Sequence, residues 1–239
     1  MNIALIGYGK MGHTIERLAP TRGHRIATTI DVDNREAAFA SDTFRHADVA
    51  IEFTGPQTAY DNILCCLRAG LPVVSGSTGW TAHMDELKAH CHELSGAFFY
   101  ASNFSLGMNL FFAINDRLAE LMNAYPNYDV SLTETHHIHK LDAPSGTAIT
   151  LAEDIIRRVD RKTRWVKGEA TAADELGVRS VRQGEVPGIH EVIYDSTADT
   201  IRITHEAKNR DGFALGALLA AEFIRGRKGV FGMKDLMGL

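Results

Sequence analysis

An apolar segment followed at once by three closely spaced glycines constrains the fold of this chain more than any other feature. Residues 2–6 are the apolar segment, and the pattern Gly7-x-Gly9-x-x-Gly12 follows them directly. Buried parallel strands are near-continuous apolar runs of this kind. Glycines at this spacing let the chain turn tightly out of a strand and pack the next helix closely against it. The sequence therefore predicts a strand, a glycine turn and a helix over residues 10–20.

An acidic residue at the end of the next predicted strand extends this pattern. The strand covers residues 24–30, and Asp31 follows it. A carboxylate about 20 positions after the glycines accepts hydrogen bonds from the adenosine ribose in dinucleotide-binding folds. Gly9 would let the backbone approach the pyrophosphate. We therefore interpret this region as a dinucleotide site; the alternative is a tight turn of some other α/β fold.

Strands and helices continue to alternate up to residue 101, which favours a parallel, doubly wound sheet. The predicted strands are 48–53, 72–75 and 97–101, and the helices between them are 57–69 and 81–95. A second glycine-rich turn, Gly76 to Gly79, follows strand 72–75. Ligands bind at the carboxyl ends of parallel strands, so we expect this turn to face the same crevice as the first.

The pattern changes after Asn103, and we place a domain boundary near Phe104. The second part is predicted to be α+β with a mixed or antiparallel sheet, whereas the first is a Rossmann-type parallel sheet. Its elements are a helix at 106–124, a strand at 130–134, a helix at 145–159, a charged loop at 161–187 with one strand at 178–182, antiparallel strands at 191–194 and 200–205, a helix at 213–224 and a short tail at 230–237.

Residues 134–148 concentrate titratable side chains beside a predicted helix start. Their sequence is Glu-Thr-His-His-Ile-His-Lys-Leu-Asp-Ala-Pro-Ser-Gly-Thr-Ala, with Pro144 at the first helical position, where its missing N–H costs nothing. The backbone N–H groups of Ser145, Gly146 and Thr147 would then be free to bind a carboxylate or phosphate. Proton-transferring histidines beside an anion site predict catalysis. The alternative is a polar strand end, a surface loop and a capped helix.

The segment from His136 to Thr147, with 101–109 and the glycines of 7–12, closely resembles the 4-hydroxy-tetrahydrodipicolinate reductase family over residues 1–236. The resemblance implies that NADH or NADPH reduces C4 of 4-hydroxy-tetrahydrodipicolinate, a small dicarboxylate, with loss of water. This is a step of lysine and diaminopimelate synthesis in the cytoplasm. It also implies a dinucleotide-binding domain of 1–104 with 211–239 returning to it. The remaining domain, 105–210, would bind substrate and form a homotetramer through its sheet.

The same resemblance implies roles for individual residues. His136 matches the family's proton donor or acceptor, and Lys140 matches its second proton donor. Substrate contacts are implied for His137, Lys140, Ser145, Gly146 and Thr147, the last two through their backbone. Cofactor contacts are implied for Gly7, Tyr8, Gly9, Lys10, Met11, Gly12, Asp31, Gly76, Ser77, Thr78, Ala101, Ser102, Asn103 and Phe104.

The residues at positions 10, 32 and 35 bear on how the cofactor is bound. Lys10 stands where the family usually has arginine, so it keeps the positive charge but loses a bidentate fork. Val32, after Asp31, stands where relatives that bind a 2′-phosphate often carry arginine. We therefore predict that NADH is used at least as well as NADPH, although Arg35 is close enough in sequence to compensate.

Composition limits the remaining classes of function. With 239 residues, 45% of them hydrophobic, the chain can bury the core of one large or two modest domains. The formal net charge of −5 does not suit a nucleic-acid-binding protein, which needs a basic face. We find neither a signal-peptide pattern nor a membrane-spanning segment. Cys65, Cys66 and Cys91 lack metal-ligand spacing and suit a reducing cytoplasm.

Three other functions remain open from the sequence. Another NAD(P)-dependent enzyme of the same two-domain plan would explain Gly7 to Asp31 but not His136 to Thr147. A non-catalytic nucleotide-sensing module would use His136 and Lys140 only to close a cleft. The third is zinc binding by the three histidines. If these residues were on a strand, the side chains of His137 and His139 would point to one face and that of His136 to the other. No cysteine lies nearby, and we predict no metal.

Overall fold

The computed structural model describes residues 1–239, and these divide into two compact units. The first unit contains Met1–Leu106 and Arg210–Leu239, and the second contains Gly107–Asn209. The strands are β1 (Asn2–Ile6), β2 (Arg25–Ile30), β3 (Val49–Glu52), β4 (Val73–Ser75), β5 (Ala97–Tyr100), β6 (Asp129–His136), β7 (Arg164–Lys167), β8 (Glu175–Arg182), β9 (Ile189–Asp195), β10 (Thr200–Glu206) and β11 (Gly229–Phe231). The α-helices are α1 (Lys10–Leu18), α2 (Arg35–Ala40), α3 (Asp42–Arg45), α4 (Ala59–Arg68), α5 (Met84–Glu93), α6 (Leu106–Met122), α7 (Gly146–Arg158), α8 (Asp211–Ile224) and α9 (Met233–Met237). None of the helices combines the length and apolar composition needed to cross a lipid bilayer.

A six-stranded parallel sheet with the order β11-β5-β4-β3-β1-β2 forms the first unit. Successive side chains of a strand point to opposite faces. Ile3 and Leu5 of β1 pack into a core with α1, α8 and α9. Ala4 and Ile6 pack into a second core with α3, α4 and α5. Both faces are covered, which explains why β1 is an uninterrupted apolar run.

The second unit is built on a mixed five-stranded sheet with the order β10-β9-β6-β8-β7. Strand β6 pairs in parallel with β8 and antiparallel with β9. One face of the sheet buries apolar side chains against α6 and α7, including Leu132, Val178 and Val192. The opposite face is partly exposed and carries residues such as Thr133, Glu191 and Ile193.

The predicted fold class is confirmed, but three segments differ from the sequence prediction. Residues 31–47 contain the short helices α2 and α3, and Ser41 caps α3 by accepting a hydrogen bond from the Phe44 amide at 3.2 Å. The 161–187 loop contains β7 as well as β8, which begins at Glu175. The C-terminal tail forms β11 and α9. Strand β11 is stabilised by pairing with β5, which lies more than a hundred residues earlier in the chain. Helices α2, α3 and α9 and strands β7 and β11 are at most six residues long, which is too short to show a periodic pattern.

Candidate active site

The first glycine turn has the geometry that its glycines predict. Gly7 has a φ of 91°, and a side chain there would overlap the carbonyl oxygen of Phe53. A side chain on Gly12 would overlap the carbonyl oxygen of Gly7. Gly9 is different, since a Cβ at that position would meet no atom within 4 Å. The turn is therefore packed tightly on the protein side and open at Gly9, where a ligand can approach the backbone.

A cleft of about 360 Å³ lies beside this turn and has the size of a small-molecule pocket. It is lined in part by Gly7, Gly9, Asp31, Arg35 and Phe53. The Asp31 carboxylate accepts hydrogen bonds from the Tyr8 amide at 3.3 Å and the Val32 amide at 2.9 Å. These bonds fix the carboxylate at the carboxyl end of β2, where a ribose can be bound.

Arg35 reaches the same cleft from the start of α2. Its Nε donates a hydrogen bond to Asn62 Oδ1 at 3.1 Å, and its guanidinium lies 5.3 Å from the centre of the Phe39 ring. These contacts hold a positive charge in the pocket that Asp31 also lines. The sequence indicated Arg35 only through its separation from Asp31.

The second glycine turn is joined to the end of β3 by a buried carboxylate. Glu52 is fully buried and accepts a hydrogen bond from Ser77 Oγ at 2.8 Å. Ser77 Oγ in turn accepts one from the Thr54 amide at 2.8 Å. Gly76 packs on the Phe53 ring so closely that a side chain would overlap it. Glu52 was not predicted from the sequence, although an acid inside the apolar run 48–53 is an unusual signal.

The third segment of implied cofactor residues lies at the end of β5. Ala101 and Phe104 are buried in the core, and the Phe104 ring packs 5.6 Å from Phe53 and 5.8 Å from Phe99 between ring centroids. Asn103 Oδ1 accepts a hydrogen bond from the Ser105 amide at 2.9 Å. The Phe104 side chain therefore stabilises the first unit, and the cofactor role of Ala101 to Phe104 stays a prediction.

In the second unit, the buried face of the sheet changes from apolar to polar at one end. On β6 the buried residues Val130 and Leu132 are followed by Glu134 and His136 on the same face. The neighbouring strands add polar side chains in register, because Arg182 of β8 pairs with His136 and His190 of β9 pairs with Glu134. Three strands therefore bring a polar cluster to the end of one core.

The cluster holds His136 through one ring nitrogen. His136 Nδ1 is hydrogen-bonded to Glu134 Oε2, and the Glu134 side chain is fully buried. Arg182 Nη1 lies 3.0 Å from the other Glu134 oxygen. Burial by itself would raise the pKa of Glu134, but the neighbouring His136, Ser180 and Arg182 side chains outweigh it and lower the pKa to about 2. Glu134 is therefore a carboxylate at any pH near neutrality.

A second histidine, which sequence analysis missed, packs edge-on against His136. The ring centroids of His136 and His190 are 5.1 Å apart, and His190 Nε2 lies 3.3 Å from Ser145 Oγ. Burial, and then the charge of His136, lower the pKa of His190 to about 3. His190 is therefore neutral near pH 7 and links His136 to the start of α7 without adding charge.

Lys140 lies on the loop after β6. Its Nζ contacts Asp142 Oδ1 at 2.7 Å, and the side chain is 22% exposed. The hydrogen bond from Lys140 lowers the pKa of Asp142. Strand β6 ends at His136, so His137 and His139 lie outside the strand and the shared-face condition for zinc binding does not apply. No three His, Cys, Asp or Glu side chains in the structure are placed so that they could hold a metal ion together.

Helix α7 begins one residue later than the sequence predicted. Ser145 is its N-cap, with Oγ accepting a hydrogen bond from the Ala148 amide at 3.2 Å. Pro144 is therefore outside the helix, and its prediction as the first helical residue is wrong, because the Ser145 hydroxyl caps the helix instead. The amides of Gly146 and Thr147 make no hydrogen bond in the structure. They remain able to bind a carboxylate.

Two domain families match the chain. The family described as dihydrodipicolinate reductase, N-terminus, matches residues 1–104, and the C-terminus family matches 107–237. The 4-hydroxy-tetrahydrodipicolinate reductase of Christiangramia forsetii is 46% identical over 99% of this chain and 98% of that protein. The enzyme of the same name from Staphylococcus saprophyticus is 36% identical over 99% of this chain and 100% of that protein.

Solved structures share the fold. Dipicolinate-bound dihydrodipicolinate reductase from Paenisporosarcina aligns with a TM-score of 0.76 at 21% identity, over 98% of each chain. GenD2 from gentamicin A biosynthesis, in complex with NAD, aligns with a TM-score of 0.58 at 13% identity, over 94% of this chain and 86% of that one. The chain therefore shares the Rossmann-type fold of these proteins.

Proposed function

The chain belongs to the dihydrodipicolinate reductase family, as the sequence predicted, and on that basis we propose that it is a 4-hydroxy-tetrahydrodipicolinate reductase. The matches to both halves of the family, which together cover 1–104 and 107–237, carry this proposal. The reaction takes a hydride and a proton into 4-hydroxy-tetrahydrodipicolinate and releases tetrahydrodipicolinate and water. It belongs to lysine and diaminopimelate synthesis, which we place in the cytoplasm.

The first unit would hold the cofactor. The turn is open at Gly9, Asp31 is fixed at the end of β2 and a cleft of about 360 Å³ lies between them, so these residues fit a dinucleotide. A nicotinamide cofactor supplies the hydride when it is bound. The further contacts proposed for this chain are those of Tyr8, Lys10, Met11, Gly12, Gly76, Ser77, Thr78 and residues 101–104.

The second unit would hold the dicarboxylate and move the proton. The free amides of Gly146 and Thr147 would bind one carboxylate at the α7 N-terminus. Lys140 would pair with a carboxylate and favour negative charge as it develops. His136 would supply the proton that compensates for the added hydride. His137 would complete the substrate contacts, and Ser145 would contribute by capping the helix.

Reduction of the freshly prepared substrate is the direct test. We expect loss of NADH or NADPH absorbance that depends on 4-hydroxy-tetrahydrodipicolinate. 2,6-Pyridinedicarboxylate should inhibit by raising the apparent KM without lowering kcat, because a planar dicarboxylate would occupy the same carboxylate site. A nucleotide-sensing module would bind NADH without substrate-dependent oxidation. Absence of turnover with either cofactor would contradict the proposed function.

We propose that NADH is used at least as well as NADPH. The Asp31 carboxylate would repel a 2′-phosphate, whereas Arg35 in the same cleft would attract it. Asp31→Asn is expected to lower the ratio of kcat/KM for NADH to that for NADPH by about tenfold, which corresponds to roughly 1.4 kcal/mol.

The matched variant Arg35→Ala should move the same ratio in the opposite direction, mainly by weakening NADPH. The measurement is kcat/KM with each cofactor for the three proteins at one ionic strength. A wild-type enzyme with a clearly higher kcat/KM for NADPH would refute the NADH preference.

We also propose a homotetramer that forms through the sheet of the second unit. The face of that sheet opposite α6 and α7 carries Thr133, Glu191 and Ile193 at intermediate exposure. Such a face can be covered by the same face of another copy. The mass measured by light scattering during size-exclusion chromatography tests this state.

A further inference from the structure

Arg182 connects two parts of the candidate site that are separate in sequence. Its Nη1 lies 3.0 Å from Glu134 Oε1, the carboxylate that holds His136. Its Nε donates to the Lys140 carbonyl at 3.2 Å, and its Nη2 donates to the Asp142 carbonyl at 2.6 Å. One guanidinium therefore contacts both the partner of His136 and the backbone of the loop that carries Lys140.

The two ring nitrogens of His136 have different surroundings. Nδ1 is hydrogen-bonded to Glu134, whereas Nε2 makes no hydrogen bond in the structure and lies near Gly188, where a Cβ would be 3.0 Å away. A residue other than glycine at position 188 would therefore crowd Nε2. Nε2 is thus the ring nitrogen that a substrate atom can approach.

We propose that Glu134 and Arg182 are positioning residues for the proposed reaction. Glu134 holds His136 as the Nδ1–H tautomer, so that Nε2 is the atom that gains and loses the proton. Arg182 contacts both Glu134 and the Lys140 loop and so fixes their relative positions. This inference rests on the proposed function, because it assigns how His136 and Lys140 are kept in place.

The charges around His136 are consistent with these roles. Glu134 is negative, Arg182 is positive, and the buried His190 is neutral; Lys140 and Asp142 form a pair on the loop. The Glu134 carboxylate can therefore accept a hydrogen bond from Nδ1–H of His136, which leaves Nε2 for the exchange of protons.

Glu134→Gln is the first test, because it keeps the side-chain shape. Arg182 would bind the amide oxygen, so that the amide NH₂ would point toward His136 Nδ1. Nδ1 would then have to accept a hydrogen bond from this NH₂. The ring would change to the Nε2–H tautomer and could no longer gain and lose a proton at Nε2. We expect kcat to fall on the order of 10²-fold with little change in KM, as for other histidines in the wrong tautomer.

The split between kcat and KM and the tautomer separate positioning from a structural role. A fall in kcat with KM unchanged points to positioning, because a loosened fold would also weaken substrate binding. Long-range ¹H–¹⁵N spectra of ¹⁵N-histidine-labelled protein should show the changed tautomer without any need for turnover, with the His136 signal assigned from His136→Ala.

Glu175→Gln is the matched control. Glu175 is also buried and ionised, with hydrogen bonds from the Thr171 and Ala172 amides and from Arg164 lowering its pKa to about 2, but it lies at the opposite end of β8 from Arg182. It should leave kcat, KM and the His136 spectrum unchanged. Arg182→Lys keeps a positive charge but cannot make all three contacts. It should both lower kcat and raise KM, since the Lys140 loop loses its anchor.

A Glu134→Gln protein with normal kcat and an unchanged His136 tautomer would overturn the positioning role. If His136→Ala were inactive in the same series, the proposed function would stand. Wild-type protein that does not reduce the substrate would refute the proposed function instead, and the tautomer spectrum would still decide whether Glu134 sets the state of the ring.

Discussion

Replacing His136 by alanine is expected to lower turnover by about 10²-fold or more, the usual scale for a general acid–base group. The variant removes the proton relay but leaves Lys140 and the free amides of Gly146 and Thr147 in place. Binding of 2,6-pyridinedicarboxylate should therefore change little. NADH affinity should be unchanged, because the glycine turn and Asp31 belong to the other unit.

His139→Ala is the matched control for this variant. His139 lies on the same loop but is 68% exposed, and its only polar contact is with the equally exposed Glu185 at 3.1 Å. Its removal should leave turnover normal. The measurements are kcat at saturating substrate, the dissociation constant of NADH and the inhibition constant of pyridinedicarboxylate. Near-normal turnover of folded, saturated His136→Ala would show that the proton comes from elsewhere.

Lys140→Ala is expected to lower turnover by a similar factor, on the order of 10²-fold, and also to raise KM. The lysine ammonium would hold a substrate carboxylate as well as favour the developing charge. Its loss also leaves the Asp142 carboxylate, now 2.7 Å from Lys140 Nζ, without its partner. That carboxylate would repel the substrate. KM should therefore increase by more than the loss of the Lys140 attraction alone would cause.

The double variant Lys140→Ala/Asp142→Ala tests this explanation, because its KM should return part of the way to the wild-type value while its kcat stays low. Lys167→Ala, an exposed lysine at the end of β7, is the control for the loss of one positive charge. Steady-state kinetics at two ionic strengths would measure both effects. An unchanged KM in Lys140→Ala would mean that this lysine does not bind the substrate carboxylate.

The cofactor turn and the fold class could be predicted because their determinants are local. The apolar run of β1 shows burial on both faces, and Gly7 and Gly12 occupy positions where a side chain would overlap the backbone. The Gly12 overlap and the positive φ of Gly7 act within the turn itself, although a side chain on Gly7 would also meet Phe53, just after β3. The capping of α7 was predicted less well, because Pro144 and Ser145 both suit a helix start and only the observed Ser145 hydrogen bond decides between them.

The sequence by itself determined a Rossmann-type sheet followed by an α+β part, the glycine turn with Asp31, and His136 and Lys140 as candidate catalytic residues. The tertiary structure alone decided what surrounds them. Glu134, Arg182 and His190 come together because β6 pairs with β8 and β9 in one specific register. If the pairing register of one of these strands shifted by one residue, its polar side chains would point to the opposite face of the sheet. Such pairing is non-local: it depends on the packing of the whole core, which no short stretch of sequence encodes.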